Sequence, residues 1–117
     1  MTEEERVALT DPEDVKLVTL ARATMARTGA LQGAAIRDAD GRTYAGAAVT
    51  LPSLRLSALQ VTVAMALASA APGFEAAVVF GGDPADVAGV SAVREVTADT
   101  PVHFVDGRGD LVTSDRP

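Results

Sequence analysis

The sequence predicts an α/β fold, in which one mixed five-stranded sheet is flanked by about three helices in the order α-β-β-α-β-α-β-β. Three observations predict it. Residues 74–106 read as a strand–helix–strand unit, extended runs flank an Asp-Gly pair at residues 40–41, and an apolar helical run extends from Leu54 to Ala71. At 117 residues the chain is expected to form a single domain over residues 1–117, with loose tails at residues 1–9 and 114–117.

The first and third helices are predicted from their end signals. Asp11 is the expected N-cap of a helix over residues 12–28, proline occupies the first helical position, and Gly29 follows the last turn. An acid–proline pair recurs at residues 83–84, so a third helix is predicted from there to about Val96.

The strands are predicted from apolar runs and turns. The Asp-Gly pair at residues 40–41 joins two strands in a first hairpin. Residues 74–80 are apolar without alternation, which is typical of an interior strand. Residues 102–106 and 111–113 are expected to form a second hairpin at the end of the chain.

Composition limits the class of protein and its partners. Apolar residues make up 48% of the chain and charged residues 22%, as in a globular protein. The formal net charge is −6 and no basic stripe occurs, which argues against a nucleic-acid partner. The chain contains no cysteine, so it has no disulfide framework, no thiolate nucleophile and no thiolate metal site.

A membrane partner is also not expected. The start of the sequence is acidic and lacks the apolar region of a secretory signal peptide. The run from Leu54 to Ala71 has about the length of a membrane span, but Arg55, Gln60 and Thr62 interrupt it. We therefore expect a cytoplasmic protein.

The same apolar run predicts self-association. Only Arg55, Thr62 and Ser69 form a polar line along it, so the helix must be covered on most of its circumference. A sheet can cover only one side. We expect a homo-oligomer, a dimer or a tetramer, that buries the region from Leu54 to Ala71, with an unidentified protein partner as the alternative.

The element order, together with several short motifs, resembles the small cytidine deaminases, whose first hairpin carries a V-G-A-A-L strand, a D-G turn and a strand leading to N-V-E. The motifs here are Gly33-Ala-Ala-Ile36, Asp40-Gly41, Tyr44 and Gly46. Val90-Ser-Ala-Val-Arg-Glu95 looks like the C-G-x-C-R-Q of that family with both cysteines replaced. The resemblance covers about residues 15–112 and lacks the C-terminal helix of the family.

The resemblance implies a zinc site at the start of two helices. In the family, Cys or His on the central helix and two Cys on the next helix hold the metal, and a Glu two residues after the first ligand moves protons. The matching ligand positions here are Ser57, Val90 and Val93, and Leu59 matches the Glu. Leucine and valine can neither bind zinc nor move a proton.

The resemblance also implies a ribose-binding N-V-E segment. Ala48-Val49-Thr50 is similar to it in position, and Ala48 and Thr50 supply neither the amide nor the carboxylate. The sequence therefore predicts no catalytic residue, no metal site and no cofactor.

Our interpretation is a non-catalytic protein with this fold, a pseudoenzyme with a structural or protein-interaction role, in which hydrocarbon fills the former zinc site. Two alternatives are open. A nucleoside- or nucleotide-binding module would be supported by a polar pocket near Thr50 and Ser57. A zinc-dependent cytidine deaminase, a hydrolase, would require a different register of the motifs.

Other polar residues are expected to have structural roles. His103 is the only histidine, and it is predicted to be a surface histidine or a hydrogen-bonded one on a strand. Ser57 is expected to cap or pack rather than to act as a nucleophile. The acidic residues at the hairpin tips are predicted to lie in solvated turns: Asp38, Asp40, Asp106 and Asp110.

Overall fold

The computed structural model describes residues 9–117, which contain three helices and seven strands. In chain order these are α1 (Pro12–Thr28), β1 (Gly33–Asp38), β2 (Thr43–Ala47), β3 (Val49–Leu51), β4 (Leu54–Leu56), α2 (Ala58–Ala68), β5 (Phe74–Phe80), α3 (Val87–Val96), β6 (Val102–Val105) and β7 (Leu111–Asp115). The predicted α/β class, with a mixed five-stranded sheet and three helices, is confirmed.

The sheet has the strand order β2-β1-β5-β6-β7. β5 and β6 are parallel and are joined through α3, whereas the other neighbours in this sheet pair antiparallel. β3 and β4 form a separate two-stranded hairpin, which the sequence analysis did not predict.

The core has two layers, one on each face of the sheet. On one face, Leu17 and Ala21 of α1 pack on alternate residues of β1 and β5. On the other face, Leu59 and Val63 of α2 and Val93 of α3 share a cluster with the opposite set of strand residues. The sheet is therefore covered by helices on both faces, as in other α/β domains.

Small residues allow the helices to approach the sheet closely. A Cβ atom on Gly46 of β2 would lie 2.8 Å from the Thr62 Oγ1 atom and 2.9 Å from the Val61 Cγ1 atom of α2. Thr62 is fully buried, and its hydroxyl donates to the Ala58 carbonyl at 2.8 Å. Thr62, the middle residue of the polar line predicted on the central helix, is thus buried against β2.

The predicted start of the central helix at Leu54 is wrong. Leu54–Leu56 is strand β4, which pairs antiparallel with β3. The helix begins at Ala58 because a capping box forms there: the Ser57 Oγ atom accepts from the Gln60 N–H at 3.1 Å, and the Gln60 Oε1 atom accepts from the Ser57 N–H at 2.9 Å. It ends at Ala68, three residues before the predicted end.

The predicted start of the third helix at residues 83–84 is also wrong. The Asp83 carboxylate accepts from the Ala85 N–H at 2.8 Å, which makes a local turn. The N-cap is Asp86, whose carboxylate accepts from the Gly89 N–H at 3.0 Å, and the helix begins at Val87.

The predicted tails need correction where the structure describes them. Ser114 and Asp115 belong to β7, and Arg94 of α3 donates to the Asp115 carboxylate and carbonyl at 2.7 Å each. Leu9 is half-buried and packs on the α1 side of the core. Residues 1–8 lie outside the described part of the chain, so that part of the expectation is not tested.

None of the helices within residues 9–117 combines the length and the apolar character that crossing a membrane requires.

Candidate functional site

The packing of α3 against α2 brings three of the predicted site residues together. Leu59 and Val93 are both 0% exposed, and Val90 is half-buried and packs on the same cluster. A Cβ atom on Gly89 would lie 3.1 Å from the Leu59 Cβ atom, so the start of α3 lies directly against α2. At these positions the structure contains close-packed hydrocarbon.

The other predicted residues lie on a cavity of about 600 Å³ beside the α2 N-terminus. Ala48, Thr50 and Ser57 all contribute to its wall. The remaining wall comes from the last residue of α1, from the segment that joins α1 to β1, and from β4: Thr28, Gly29, Ala30, Leu31, Gln32 and Leu56. The predicted set therefore divides into residues that line the cavity and residues that fill the core.

None of the residues that line the cavity has a charged side chain. Its polar groups are the hydroxyls of Thr28, Thr50 and Ser57 and the carboxamide of Gln32. The Thr28 hydroxyl donates to the Thr24 carbonyl at 2.8 Å and is already used within α1. The wall can offer hydrogen bonds to a neutral molecule, but it holds no group suited to neutralising a phosphate.

Gln32 is a site residue that the sequence analysis missed. Its Oε1 atom accepts from the Ala58 N–H at 2.7 Å, and its backbone carbonyl accepts from the Ala48 N–H at 3.3 Å. The residue thus connects the segment after α1 to the start of α2, 26 positions later. A single glutamine next to a strand carries no periodic or spacing signal that would reveal this long-range bond.

His103 lies on the other face of the sheet, under α1, and is only 3% exposed. Its Nδ1 atom lies 2.7 Å from the Ser114 Oγ atom, and its Nε2 atom lies 3.7 Å from the Asp14 Oδ2 atom. The histidine is therefore a hydrogen-bonded strand residue, one of the two alternatives that the sequence left open.

Burial lowers the pKa of His103 below its usual value near 6.5. The carboxylate of Asp14 acts in the opposite direction, and the positive charges of Arg116 and Arg37 lower the pKa further. The imidazole is consequently neutral at neutral pH. None of these side chains lines the cavity described above.

The prediction that Asp38 lies in a solvated turn is wrong, because its side chain is fully buried. Its carboxylate accepts from the Tyr44 hydroxyl at 2.7 Å, from the Arg42 Nε–H at 3.2 Å, and from the N–H groups of Asp40 and Arg42 at 2.9 and 3.0 Å. Burial raises its pKa, but the hydrogen bonds from Tyr44, Arg42 and Asp40 outweigh it and hold the pKa below the usual value. The group fixes the first hairpin as a structural anion.

Within residues 9–117, no group of three or more His, Asp or Glu side chains lies close enough to hold a metal ion. Asp106 accepts from the N–H groups of Arg108 and Asp110 at 2.8 and 3.1 Å, which closes the β6–β7 turn. Asp38 and Asp106 are therefore engaged in separate hairpins.

Comparisons with known proteins agree with this architecture. The chain matches the family model described as cytidine deaminase-like over residues 10–109. Its structure is similar to the crystal structure of cytidine deaminase from Burkholderia pseudomallei, with a TM-score of 0.75 and 21% identity over 99% of this chain and 93% of that chain. At this identity the likeness shows the fold alone. No curated protein matches the chain. The family match spans most of the sequence, and the chain belongs to the cytidine deaminase-like family.

Proposed function

We propose that this chain is a non-catalytic member of its family with a structural or protein-interaction role. The observation that supports it is the complete burial of Leu59 and Val93 in one apolar cluster. The resemblance assigns these two positions to the proton-moving Glu and to a zinc-binding Cys. A side chain that is packed in hydrocarbon and has no ionisable group can do neither task.

The residues at the implied zinc site do not fit the metal. A catalytic zinc site needs three protein ligands besides water, usually His, Cys, Asp or Glu. Ser57 offers one hydroxyl, which already accepts from the Gln60 N–H at 3.1 Å, and Val90 and Val93 offer none. These residues therefore do not supply the ligand set of a catalytic zinc ion.

Metal analysis and an ammonia assay test this proposal. We expect no stoichiometric zinc after dialysis, and no ammonia from cytidine or deoxycytidine above the level of a no-enzyme control. The Burkholderia pseudomallei cytidine deaminase, taken through the same steps, is the positive control. About one zinc per chain, or ammonia release above the blank, would contradict the proposal and favour the deaminase alternative.

The first protein interaction that we propose for this chain is self-association through α2. α2 carries no charged residue although the whole chain has a net charge of −6. Met65 and Leu67 on its outer side are 42% and 51% exposed, and Ala64 and Ala68 beside them are also exposed. An uncharged surface of small and apolar residues suits a symmetric helix contact.

Light scattering at about 50 µM, where a moderately tight oligomer is populated, should give a dimer or tetramer mass. Leu67→Glu should shift the mass to the monomer, because it puts a charge in the contact. Val87→Glu is the matched control, since Val87 is an exposed apolar residue on α3, and it should leave the mass unchanged. A wild-type monomer would exclude the homo-oligomer and direct attention to a different protein partner for α2.

A nucleoside-binding module is the second candidate function, and the cavity is the observation that favours it. Its volume of about 600 Å³ is in the range of small-molecule sites. The uncharged wall with Thr50 and Ser57 suits a neutral nucleoside better than a nucleotide.

A further inference from the structure

His103 is a buried titratable residue that belongs neither to the cavity nor to the apolar cluster under α2. It is 3% exposed and lies on the α1 face of the sheet, with its Nδ1 atom 2.7 Å from the Ser114 Oγ atom of β7. β7 is an edge strand of the described sheet, and its pairing partner is β6. The end of β7 can therefore separate from the imidazole by a local opening.

Charged groups from α1, β1, β5 and the residue after β7 surround the imidazole. Asp14, in the first turn of α1, places its Oδ2 atom 3.7 Å from the His103 Nε2 atom. The Asp14 carboxylate already accepts from Arg37 of β1 at 3.1 Å. Arg37 also lies 3.6 Å from Glu75 of β5, whose side chain is more than half exposed. Arg116 adds a further positive charge. A proton on His103 would therefore give three cations for two carboxylates, one of which is largely in water.

The neutral imidazole fits this position better than the imidazolium does. The Ser114 hydroxyl can donate to an unprotonated Nδ1 atom or accept from a protonated one, so either neutral tautomer is satisfied. Burial is the main cause that lowers the pKa of His103. The Asp14 carboxylate opposes burial, and the positive charges of Arg116 and Arg37 lower the pKa further. Once the end of β7 has opened, water solvates the imidazolium and the pKa returns to about 6.5.

This difference in pKa between the closed and the open state sets the direction of the pH dependence. Above about pH 6.5 neither state holds the proton, and the closed arrangement has its full stability. As the pH falls below about 6.5, the open state takes up a proton before the closed state does, so acid favours opening. Histidine is the side-chain type that ordinarily titrates in this range, and His103 is the only histidine in the sequence.

A second contact holds the same strand from the opposite face of the sheet. Arg94 of α3 donates to the carbonyl and to the carboxylate of Asp115 at 2.7 Å each. A guanidinium group stays charged throughout the range in which histidine titrates. Because this contact persists, we expect acid to open the end of β7 locally and reversibly rather than to unfold the domain.

We propose that His103 is an acid-sensitive latch for β7: the neutral imidazole keeps the end of the strand closed over the ring, and protonation releases residues 114–116. The inference concerns the face of the sheet opposite α2. It therefore does not depend on the non-catalytic function proposed above.

Hydrogen exchange detected by mass spectrometry at pH 7.5 and pH 5.0 tests the latch, with labelling times corrected for the intrinsic exchange rate at each pH. In the wild type, the equilibrium constant for opening of residues 111–117 should rise between about 5-fold and about 30-fold at the lower pH, the upper limit being set by a free imidazole pKa near 6.5. Residues 58–68 of α2 are the internal reference and should keep their protection. NMR of the single imidazole should give a titration midpoint below about 6.5.

His103→Asn removes the proton-binding group, whereas its amide keeps a polar atom close to the position of Nδ1 for Ser114. Its opening constant should change less than about twofold between the two pH values. Arg116→Gln removes a positive charge near the imidazole, so the imidazole midpoint should move up towards 6.5 and the rise in opening should shrink. Arg108→Gln is the matched control, because Arg108 is an exposed arginine in the turn between β6 and β7, and it should leave both readouts unchanged.

An equal rise in opening for the wild type and for His103→Asn would overturn the proposal. A wild-type imidazole that titrates at or above pH 6.5 while residues 111–117 stay protected would overturn it as well, because Asp14 would then stabilise the imidazolium in place. If His103→Asn does not fold, the two exposed arginine variants carry the test. Identical imidazole midpoints for Arg116→Gln and Arg108→Gln would leave His103 with a structural role alone.

Discussion

Val93→Asp is expected to lower the free energy of unfolding by about 4 kcal/mol, enough to leave a marginally stable domain largely unfolded. Val93 is 0% exposed and lies on α3 within the cluster that contains Leu59 and Ile36. An aspartate there would place a carboxylate among hydrocarbon, where it either remains charged without a partner or takes up a proton at a cost in free energy. Urea unfolding followed by circular dichroism measures the effect.

Ser91→Asp is the matched control for this variant. Ser91 is on the same helix but is exposed, so the new carboxylate remains in water and the change should be within about 0.5 kcal/mol. If Val93→Asp costs less than about 1 kcal/mol, the side chain at this position reaches water. That result would remove the main support for the proposal that the zinc site has become core.

The parts of the fold that were predicted best are specified by local signals. Asp11 accepts from the Glu13 N–H at 2.9 Å, and Gly29 adopts a φ of 70° after the last turn of α1. Both features depend on the chemistry of one residue and its immediate neighbours. The predicted bounds of this helix, residues 12–28, are therefore the observed ones.

The errors arose where two local signals compete. The segment before Ser57 is apolar enough to continue a helix, but the turn at Pro52 allows it to fold back on β3. The pattern of Ser57 followed by Gln60 is a capping-box signal in the sequence, and it marks the helix start that the structure has. At α3, Asp83 and Asp86 both resemble N-caps, and only the tertiary fold decides between them.

The candidate site could be predicted only in part. The resemblance aligned Leu59, Val90 and Val93 with one site, and the structure brings these residues into one cluster. The roles of Gln32 and Asp38 depend on partners that only the folded chain supplies. Gln32 bonds to a residue 26 positions away, and burial of Asp38 depends on the convergence of a tyrosine, an arginine and two backbone N–H groups.

Gly33→Ala is expected to destabilise the domain by about 3 kcal/mol, because β1 and α1 leave no space for a methyl group. A Cβ atom on Gly33 would overlap the Ala21 carbonyl oxygen and lie 3.1 Å from the Met25 Cβ atom. The obstacle is helix backbone, so relief requires α1 to move away from the sheet. This contact gives a physical reason for the glycine that opens the Gly33-Ala-Ala-Ile36 motif.

Gly107→Ala is the control for the glycine substitution. A Cβ atom on Gly107 would have no other atom within 4 Å, and this glycine is not among those with positive φ. Its replacement should therefore leave the stability unchanged or raise it slightly, since alanine restricts the unfolded chain. Thermal unfolding of both variants beside the wild type gives the comparison. Equal melting temperatures for Gly33→Ala and the wild type would show that α1 packs on β1 less closely than described, and the motif would then need another explanation.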